Sequence, residues 1–271
     1  MPSLYIVATP IGNLEDISPR AIRILREVKL IAAEDTRKTR ILLDKYEIKT
    51  PLTSYYEHNK IEKLDYILGQ LELKDVAIVS EAGMPGISDP GYELIAAAIP
   101  KGISVVPIPG PSAIITALAV SGLPSDRFTF IGFLPRRMGE RRQALESVAG
   151  ETGTLVAYEA PHRLKEALSD IIYVLGDRRI AVCRELTKIY EEVFRGSVSE
   201  ALKHFDDPRG EFTLVIEGRA KQKPRLTEDV VKRLEVLHQS GVGAREAVAM
   251  VVKETGLSKK EVYQAWLKLL S

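Results

Sequence analysis

The chain has 271 residues, of which 45% are hydrophobic and 28% charged, a balance typical of a globular protein with one large or two modest cores. Its 38 basic and 37 acidic residues leave a net charge of +1, so the total charge does not indicate a nucleic-acid partner. The single cysteine, Cys183, excludes an intrachain disulfide and a cysteine-rich zinc site.

The first half of the chain alternates apolar runs with amphipathic segments. Residues 4–8 form a continuous apolar run, which is typical of a strand buried on both faces. Ser18 and Pro19 predict the N-cap and first position of a helix that reaches about residue 28. Further strands are predicted at 30–33, 75–80 and 103–107, and further helices from 34–38 onward, at 59–71, at 92–98 and at 112–121. This order predicts a parallel sheet covered by helices on both faces.

The pattern changes beyond about residue 134. Strands are predicted at 154–159, 180–185, 191–197 and 211–217, and helices at 161–175 and 199–205. Because only one helix separates the last three strands, their short connections favour antiparallel pairing and a separate α+β lobe.

A basic linker, 219–225, leads to three predicted helices at 227–239, 244–254 and 258–270. Ser258 and Glu261 form an S-x-x-E capping box at the start of the last helix. The helix-turn-helix spacing here is compatible with nucleic-acid contact and equally with plain packing. We therefore expect an α/β protein with a parallel α/β N-terminal lobe (1–122), a mixed α+β second lobe (123–218) and a small helical C-terminal subdomain (219–271).

Membrane insertion, secretion and metal binding are not predicted. No apolar run approaches the roughly 20 residues needed to cross a bilayer. The first residues show neither a basic leader nor a small-residue cleavage site, so we expect a cytoplasmic protein. The histidines are scattered without the spacing of metal ligands: His58, His162, His204 and His238.

Four Gly/Pro-rich turns follow predicted strands, at 8–14, 80–91, 107–113 and 159–163. In open α/β sheets, ligands bind beyond the carboxyl ends of the strands, where glycine allows close approach and helix N-termini present free N–H groups. We expect the four turns to form one small-molecule site. Because the G-x-G-x-x-G and G-x-x-x-x-G-K-[ST] spacings are absent, a dinucleotide or nucleoside triphosphate is not favoured.

Basic residues concentrate in three places. The segment 20–45 holds eight basic and four acidic residues, and two smaller clusters follow later in the chain. The smaller clusters are Arg136, Arg137, Arg141 and Arg142, and Arg219, Lys221, Lys223 and Arg225. Such clusters are compatible with a solvated face or with contact to a polyanionic substrate.

Seven segments, taken in order, resemble the ribosomal RNA small subunit methyltransferase I group of the tetrapyrrole methylase superfamily. They are T-P-I-G-N-L-E-D-I at 9–17, A-E-D-T-R at 33–37, S-E-A-G at 80–83 with I-S-D-P-G at 87–91, I-P-G-P-S-A at 108–113, F-I-G-F-L-P at 130–135, Y-E-A-P-H-R at 158–163 and C-R-E-L-T-K at 183–188. The segments 34–37 and 158–163 separate this group from the corrin and sirohaem methylases.

The resemblance implies S-adenosylmethionine as methyl donor, held between the lobes of a homodimer. It implies as acceptor the ribose 2′-hydroxyl of a cytidine in the decoding region of 16S rRNA, the RNA of the small ribosomal subunit. Carried over position by position, it assigns the cofactor to Pro10, Gly12, Ser80, Ala82, Gly83, Ile87, Ser112, Ala113, Phe133, Tyr158, Leu186, Glu211, Phe212 and Thr213. The group often has D-A-G-T-P where this chain has Glu81 and Met84, which leaves the role of Glu81 open.

Transfer of a sulfonium methyl group requires alignment of the reacting atoms and removal of the hydroxyl proton. The candidates for this chemistry are Glu34, Asp35 and Glu81, with Arg37 as part of the unit 34–37, and with His58 and Glu159 as weaker candidates. Capping of a helix N-terminus is the competing role for each carboxylate. Positive side chains are expected to meet RNA phosphates, and the candidates are Arg37, Lys38, Arg136, Arg137 and Arg163.

Three classes of function remain open. The chain is an rRNA ribose methyltransferase, a methyltransferase of tetrapyrroles or other small molecules, or a non-catalytic RNA-binding assembly protein. The basic clusters favour the first over the second, and the complete set of cofactor turns argues against the third.

Overall fold

A computed structural model describes residues 2–57, 59–220 and 226–269. The chain divides into two compact units, Met1–Arg219 and Ala220–Ser271. The first unit contains two five-stranded sheets, and we call the sheets with their helices the first and second lobes. The boundary predicted at residue 122 falls within this unit and stays a prediction.

The first lobe contains a parallel sheet in the order β3-β2-β4-β1-β5. Its strands are β1 (Ser3–Val7), β2 (Leu30–Ala33), β3 (Leu52–Ser54), β4 (Val76–Val79) and β5 (Ser104–Ile108). All residues of β2 and β4 are buried, because helices cover both faces of a parallel sheet. The predicted alternation is confirmed, except that β3 was not predicted because three residues, Leu-Thr-Ser, give no apolar run.

Five helices belong to this lobe: α1 (Pro19–Glu27), α2 (Thr36–Lys45), α3 (Lys60–Leu71), α4 (Tyr92–Ala98) and α5 (Ala113–Ser121). Three of them begin at side-chain caps, because a hydroxyl or carboxylate satisfies N–H groups of the first turn. Ser18 Oγ accepts from Ala21 N at 3.1 Å, Asp35 Oδ1 accepts from Arg37 N at 2.8 Å, and Ser112 caps α5. These caps fix where the turns after the strands end.

The second lobe contains a mixed sheet in the order β6-β7-β10-β8-β9. Its strands are β6 (Phe128–Phe133), β7 (Thr154–Glu159), β8 (Arg179–Arg184), β9 (Glu192–Ser197) and β10 (Phe212–Ile216). The pairs of β10 with β7 and β8, and of β8 with β9, are antiparallel, which confirms the predicted α+β character. Strand β6 pairs parallel to β7 and carries an irregularity between Phe130 and Phe133.

Helices α6 (Met138–Ser147), α7 (Leu164–Leu175) and α8 (Val198–His204) cover one face of this sheet. Neither β6 nor α6 was predicted from the sequence. Gly132 interrupts β6, and the charged residues Glu-Arg-Arg follow Met138 and Gly139 in the first turns of α6, so neither shows a clear apolar period.

The other face of the second sheet packs against α5 of the first lobe. Helix α5 is apolar on nearly all sides, as expected for a helix buried between two layers. Ile114, Ala117 and Leu118 of α5 form one buried cluster with Val156, Ala181 and Val215 of the second sheet. The cluster holds the two lobes together next to the turn that precedes α5.

The second unit contains α9 (Glu228–Gln239), α10 (Ala244–Thr255) and α11 (Lys259–Lys268), which confirms the three predicted helices. They bury their own cluster around Leu234, Val251 and Trp266. The capping box is present, because Ser258 Oγ accepts from Glu261 N and Glu261 Oε2 accepts from Ser258 N, both at 3.2 Å. Linker residues 221–225 and residue 270 lie outside the described residues.

Candidate functional site

A cavity of about 490 Å³ lies where the carboxyl ends of the first sheet face the second lobe. The first lobe lines it with residues of the turns after β4 and β5: Ala82, Gly83, Ile87, Ser112 and Ala113. The second lobe contributes the side opposite, with Phe133, Tyr158, Leu186, Glu211, Phe212 and Thr213. These residues are all among those that the resemblance assigned to a cofactor.

The remaining assigned residues, Pro10, Gly12 and Ser80, line an adjoining cavity of about 240 Å³. The two cavities share Ile11, Glu81, Ala82 and Glu211 as common walls. The structure therefore brings all the predicted cofactor residues to one region between the lobes.

The turns after β1 and β4 are joined by backbone hydrogen bonds. Thr9 N donates to Gly83 O at 2.8 Å, and Gly83 N donates to Thr9 O at 3.0 Å. Thr9 Oγ1 also donates to Ser80 O at 3.2 Å. Gly83 has a φ of 81°, which an L side chain rarely adopts, so this bridge requires glycine.

Gly12 makes the closest approach of the first lobe to the loop after β8. A Cβ at this position would lie 2.8 Å from Thr187 Oγ1 and 3.0 Å from Leu186 O, and would overlap the side chain of Lys188. Lys188 Nζ is held in place by Glu185 at 2.9 Å and Glu211 at 3.0 Å. The missing side chain at Gly12 therefore lets the two lobes meet at the adjoining cavity.

Glu34 connects the ends of two neighbouring strands. Its Oε2 accepts from the backbone N of Glu81 at 3.0 Å, which joins the end of β2 to the end of β4. Glu81 in turn forms an ion pair with Lys38 of α2. Both carboxylates line the larger cavity, so two of the predicted acidic residues face the candidate site.

Asp35 and Arg37 are engaged with each other at the start of α2. Asp35 accepts from the backbone N of Arg37 and Lys38, and its Oδ2 lies 3.2 Å from Arg37 Nη2. The hydrogen bonds from Arg37 lower the pKa of Asp35, and Asp35 raises the pKa of Arg37. Neither residue lines the two cavities, so the competing role of helix capping describes Asp35 in this structure.

Asp89 is a cavity-lining carboxylate that the sequence analysis did not single out. Partial burial and the charges of Glu34 and Glu81 raise the pKa of Asp89 to about 7, against an opposing hydrogen bond from Ser80. Its place in the long turn 80–91, which holds two carboxylates, was the available signal. The turn lies at the cavity as predicted, but the predicted carboxylate in it was Glu81 and not Asp89.

An aromatic group forms the wall of the cavity in the second lobe. Tyr158 packs against Phe130 and Phe133, with ring centroids 5.1 and 5.2 Å apart. Burial and the nearby charge of Asp89 raise the pKa of Tyr158 to about 12. Phe133 is 57% exposed, and an exposed aromatic ring at a cavity is typical of a surface that receives a ligand.

The placement of Arg163 argues against the predicted contact with phosphate. Its Nη2 lies 2.6 Å from Glu159 Oε1, its Nη1 donates to Leu134 O at 3.1 Å, and the side chain is only 12% exposed. Burial raises the pKa of Glu159, whereas the hydrogen bond from Ala160 N and the charge of Arg163 act to lower it. Arg163 is thus engaged in neutralising a buried carboxylate.

The cluster of four arginines at 136–142 is divided between surface and interior. Arg136 and Arg137 are exposed, beyond the end of β6 that carries Phe133. Arg141 is 2% exposed and pairs with Asp170 at 2.7 Å, so its prediction as part of an exposed cluster is wrong. Because Arg141 Nη1 donates to the carbonyl oxygens of Pro135 and Arg136, it holds the loop that presents the two exposed arginines.

Other candidates gain no support from the geometry. Cys183 is buried, and burial raises its pKa to about 12, so its thiol stays protonated at neutral pH. His58 lies outside the described residues.

Within residues 2–57, 59–220 and 226–269, no group of three or more His, Cys, Asp or Glu side chains is placed to bind a metal ion. In the same residues, no helix has the length and apolar character that a membrane span requires.

Comparison with known proteins gives a family and close relatives. The model of the family described as Tetrapyrrole (Corrin/Porphyrin) Methylases matches residues 3–202. A relative from Halalkalibacterium halodurans, named Ribosomal RNA small subunit methyltransferase I, is 48% identical over 272 residues, covering 97% of this chain and 94% of the relative. A relative of the same name from Thermotoga maritima is 52% identical over 222 residues, covering 81% of this chain and 100% of the relative.

Among solved structures, diphthine synthase is similar in fold, with a TM-score of 0.59 at 16% sequence identity, covering 80% of this chain and 90% of that one. The family match extends over strands β1 to β9 and includes every turn of the first lobe at the cavity. Given this match and the identity of the relatives, the chain belongs to the tetrapyrrole methylase family of methyltransferases, in the group of the ribosomal RNA small subunit methyltransferases I.

Proposed function

We propose that the chain uses S-adenosylmethionine to methylate the ribose 2′-hydroxyl of a cytidine in the decoding region of 16S rRNA. The observation that carries this proposal is the cavity of about 490 Å³ between the lobes, to which turns from both lobes contribute. Its volume falls in the range of roughly 300–1,000 Å³ that is typical of small-molecule sites. The names of the relatives and the exposed arginines beyond β6 extend the proposal from a cofactor to an RNA acceptor.

The residues of the cavity fit S-adenosylmethionine, which combines an aromatic base, a ribose, a positive sulfonium and an amino acid. Ser112 and Ala113 stand at the N-terminus of α5, where backbone N–H groups are free to donate to a ligand. The positive φ of Gly83 leaves open backbone beside the cavity, and Phe133 and Tyr158 offer apolar surface to the base. The acidic residues nearby favour a cationic ligand.

When bound, the cofactor supplies an electrophilic methyl group that leaves its sulfur by in-line displacement. We assign to the chain the tasks of holding the cofactor folded, excluding water and orienting the acceptor hydroxyl. Glu34 contributes to the shape of the site because it fixes the backbone of Glu81 at the cavity. The ion pair with Lys38 fixes the side chain of Glu81. Asp35 and Arg37 contribute indirectly, because their contacts fix the N-terminus of α2 beside Glu34 and Lys38.

The acceptor RNA is proposed to approach over the loop after β6. Arg136 and Arg137 are exposed there, and Arg137 forms an exposed ion pair with Glu140 at 3.3 Å. Arginine at such positions contacts phosphates without reading sequence, so these residues contribute affinity and salt dependence. Arg37 and Lys38 are further candidates for phosphate contact, and each pairs with a carboxylate, as Arg137 does.

We also propose that the active form is a homodimer that acts in the cytoplasm, where the small ribosomal subunits are. Two adjacent large side chains in the loop after β8, Ile189 and Tyr190, are 94% and 73% exposed and support a protein partner there. Light scattering on the full chain tests this part, with twice the mass of the chain as the expected result.

Labelled S-adenosylmethionine tests the activity. The full chain is incubated with the methyl-labelled cofactor and either naked 16S rRNA or assembled small subunits, and the label is mapped by nuclease digestion and alkaline hydrolysis. We expect label on one cytidine, at a linkage that resists alkali because a methylated 2′-oxygen cannot attack the phosphate.

Two results would refute the assignment. Label on a base places the acceptor elsewhere on the nucleotide, and absence of RNA labelling, with transfer to a tetrapyrrole, supports the small-molecule alternative.

A further inference from the structure

Five carboxylates line the larger cavity: Glu34, Glu81, Asp89, Glu159 and Glu211. Ionisable partners hold three of them, because Glu81 and Glu211 pair with lysines and Glu159 pairs with an arginine. Glu34 accepts a backbone N–H. Each of these four side chains is thus tied to another residue of the chain.

Asp89 differs from the other four in its surroundings. Among the described residues it forms no ion pair; the Ser80 hydroxyl, which donates to Ala82 O and Gly83 O at 3.3 Å, acts to lower its pKa. The charged groups that face it are Glu34 and Glu81 from the ends of β2 and β4, and the Tyr158 hydroxyl faces it from β7. Two negative neighbours and partial burial all favour the protonated form of Asp89.

The backbone around Asp89 is held in an uncommon conformation. Ser88 has a φ of 63°, in the left-handed region that a residue with a side chain seldom occupies. Gly91 has a φ of 145°, and a Cβ there would lie 3.0 Å from Gly86 N, so the turn folds back tightly on itself before α4. Strain of this kind is retained where the structure needs a side chain at a defined place.

The same turn reaches the second lobe. A Cβ on Gly132 would lie 3.8 Å from Ser88 Oγ, so residues 88–89 adjoin the irregular part of β6. Phe133 and Tyr158, both lining the cavity, are paired next to this point. Asp89 therefore stands between the acidic ends of the first sheet and the aromatic wall, at the junction of the lobes.

We propose that Asp89 is the catalytic residue that accepts the proton of the acceptor hydroxyl during methyl transfer, an inference that rests on the proposed function. The acceptor oxygen forms a bond to the methyl carbon, and the bond from that carbon to sulfur breaks, with its electron pair remaining on sulfur. The hydroxyl proton moves to a carboxylate oxygen of Asp89. The products are the methylated hydroxyl, S-adenosylhomocysteine and protonated Asp89, so atoms and charges balance.

Tyr158 is the neighbouring group that could compete for this role. Because the pKa of Tyr158 is raised to about 12, its hydroxyl is protonated at neutral pH and cannot accept the proton. A base is most effective when its pKa is close to the working pH, and the pKa of Asp89, raised to about 7, meets this condition.

The test compares Asp89→Asn with the wild-type chain in single-turnover methylation of small subunits over pH 5.5 to 9. The control is Asp65→Asn, the same substitution at an exposed position of α3. For wild type we expect the rate to rise with pH through an ionisation at or below about 7, because a bound sulfonium lowers the pKa of a nearby carboxylate. For Asp89→Asn we expect a rate lower by about 100-fold or more and no such ionisation, whereas Asp65→Asn follows wild type.

Cofactor affinity, measured by equilibrium dialysis, separates catalysis from binding. We expect Asp89→Asn to bind S-adenosylmethionine within about threefold of wild type, since the substitution preserves size and keeps an oxygen acceptor. Weakened cofactor binding that accounts for the lost rate would overturn the inference, as would a variant that keeps the wild-type rate or pH profile. A wild-type chain that labels no ribose would instead refute the proposed function, and the inference would fall with it.

Discussion

Arg163 and Glu159 form an ion pair with 2.6 Å between Nη2 and Oε1, beside the cavity that Glu159 lines. The Glu159 side chain has no exposed surface, and its Oε2 has no hydrogen-bond partner among the described residues. A buried carboxylate that loses its ion-pair partner is strongly disfavoured. The ion pair therefore favours a structural role for Arg163 over the predicted contact with phosphate.

Arg163→Met tests this structural role. We expect the free energy of unfolding to fall by about 3 kcal/mol at pH 8, because the buried Glu159 would lose its ion-pair partner. At pH 5 the loss should be smaller, since burial raises the pKa of Glu159 and protonation removes its charge. Urea unfolding of the full chain measures both values.

The control for this prediction is Arg127→Met, at a pair with Glu151 whose atoms are 3.8 Å apart and largely exposed. Its effect should stay below about 1 kcal/mol, as for surface pairs generally. Equal losses at the two positions would show that the burial of Glu159 carries no special cost.

Arg136→Ala combined with Arg137→Ala tests the proposed RNA surface. We expect weaker binding of rRNA and a salt dependence of the binding constant that is less steep by up to about two charges, with cofactor affinity unchanged. Filter binding at several salt concentrations measures both quantities. Arg127→Ala with Arg179→Ala is the matched control, because these arginines lie at the opposite end of the second sheet and are 72% and 64% exposed. Unchanged rRNA affinity in the first variant would contradict the surface assignment.

The fold of the first lobe was predictable because its signals are local. The apolar runs of β1, β2 and β4 reflect burial on both faces, and Ser18 with Pro19 marks a helix start that the structure contains. Strands β3 and β6 were not predicted, because each is a strand through its pairing with a neighbouring strand and not through an apolar run of its own. The strands that they pair with are distant in sequence, so no short window of sequence contains this signal.

The candidate site was predictable in location but not in detail. Glycine and proline after strands indicated the turns, since backbone geometry at Gly83 requires those residue types locally. Which carboxylate remains without a charged partner depends on contacts between distant segments, such as Lys38 with Glu81. For the same reason, Arg141 and Arg163 looked like surface charges until their partners Asp170 and Glu159 were known.

Gly12→Ala tests the close contact between the lobes. The new methyl group would meet Leu186 O and Thr187 Oγ1 at 3.0 Å or less, so the loop after β8 must move away. We expect affinity for S-adenosylmethionine to fall by about tenfold or more, because Leu186 lines the larger cavity and Lys188 the adjoining one. Isothermal titration calorimetry provides the measurement.

Gly69→Ala in α3 is the control for this substitution. No atom lies within 4 Å of the new methyl group there, and alanine favours a helix interior over glycine by roughly 0.5–1 kcal/mol. It should therefore stabilise the chain slightly and leave cofactor binding as it is. Normal binding by Gly12→Ala would mean that the loop can shift without affecting the cavity.

Asp89→Asn should also change how stability depends on pH in the absence of cofactor. The pKa of Asp89 is about 7 in the folded chain and near 3.8 in the unfolded chain, so between these values the unfolded chain releases a proton that the folded chain retains. Folding stability of the wild type therefore decreases as pH rises through this range and gains no further penalty above it.

Asparagine cannot ionise, so the variant should lack this decrease. Relative to wild type, we expect Asp89→Asn to be more stable by an amount that grows from pH 4 to pH 7 and stays constant above, with a melting temperature several degrees higher at pH 8. Thermal unfolding of the full chain at each pH, with Asp65→Asn in parallel, measures the difference. A constant difference across the range would mean that Asp89 ionises in the folded chain as it does in the unfolded one, and its neighbours Glu34 and Glu81 would then exert no effective repulsion.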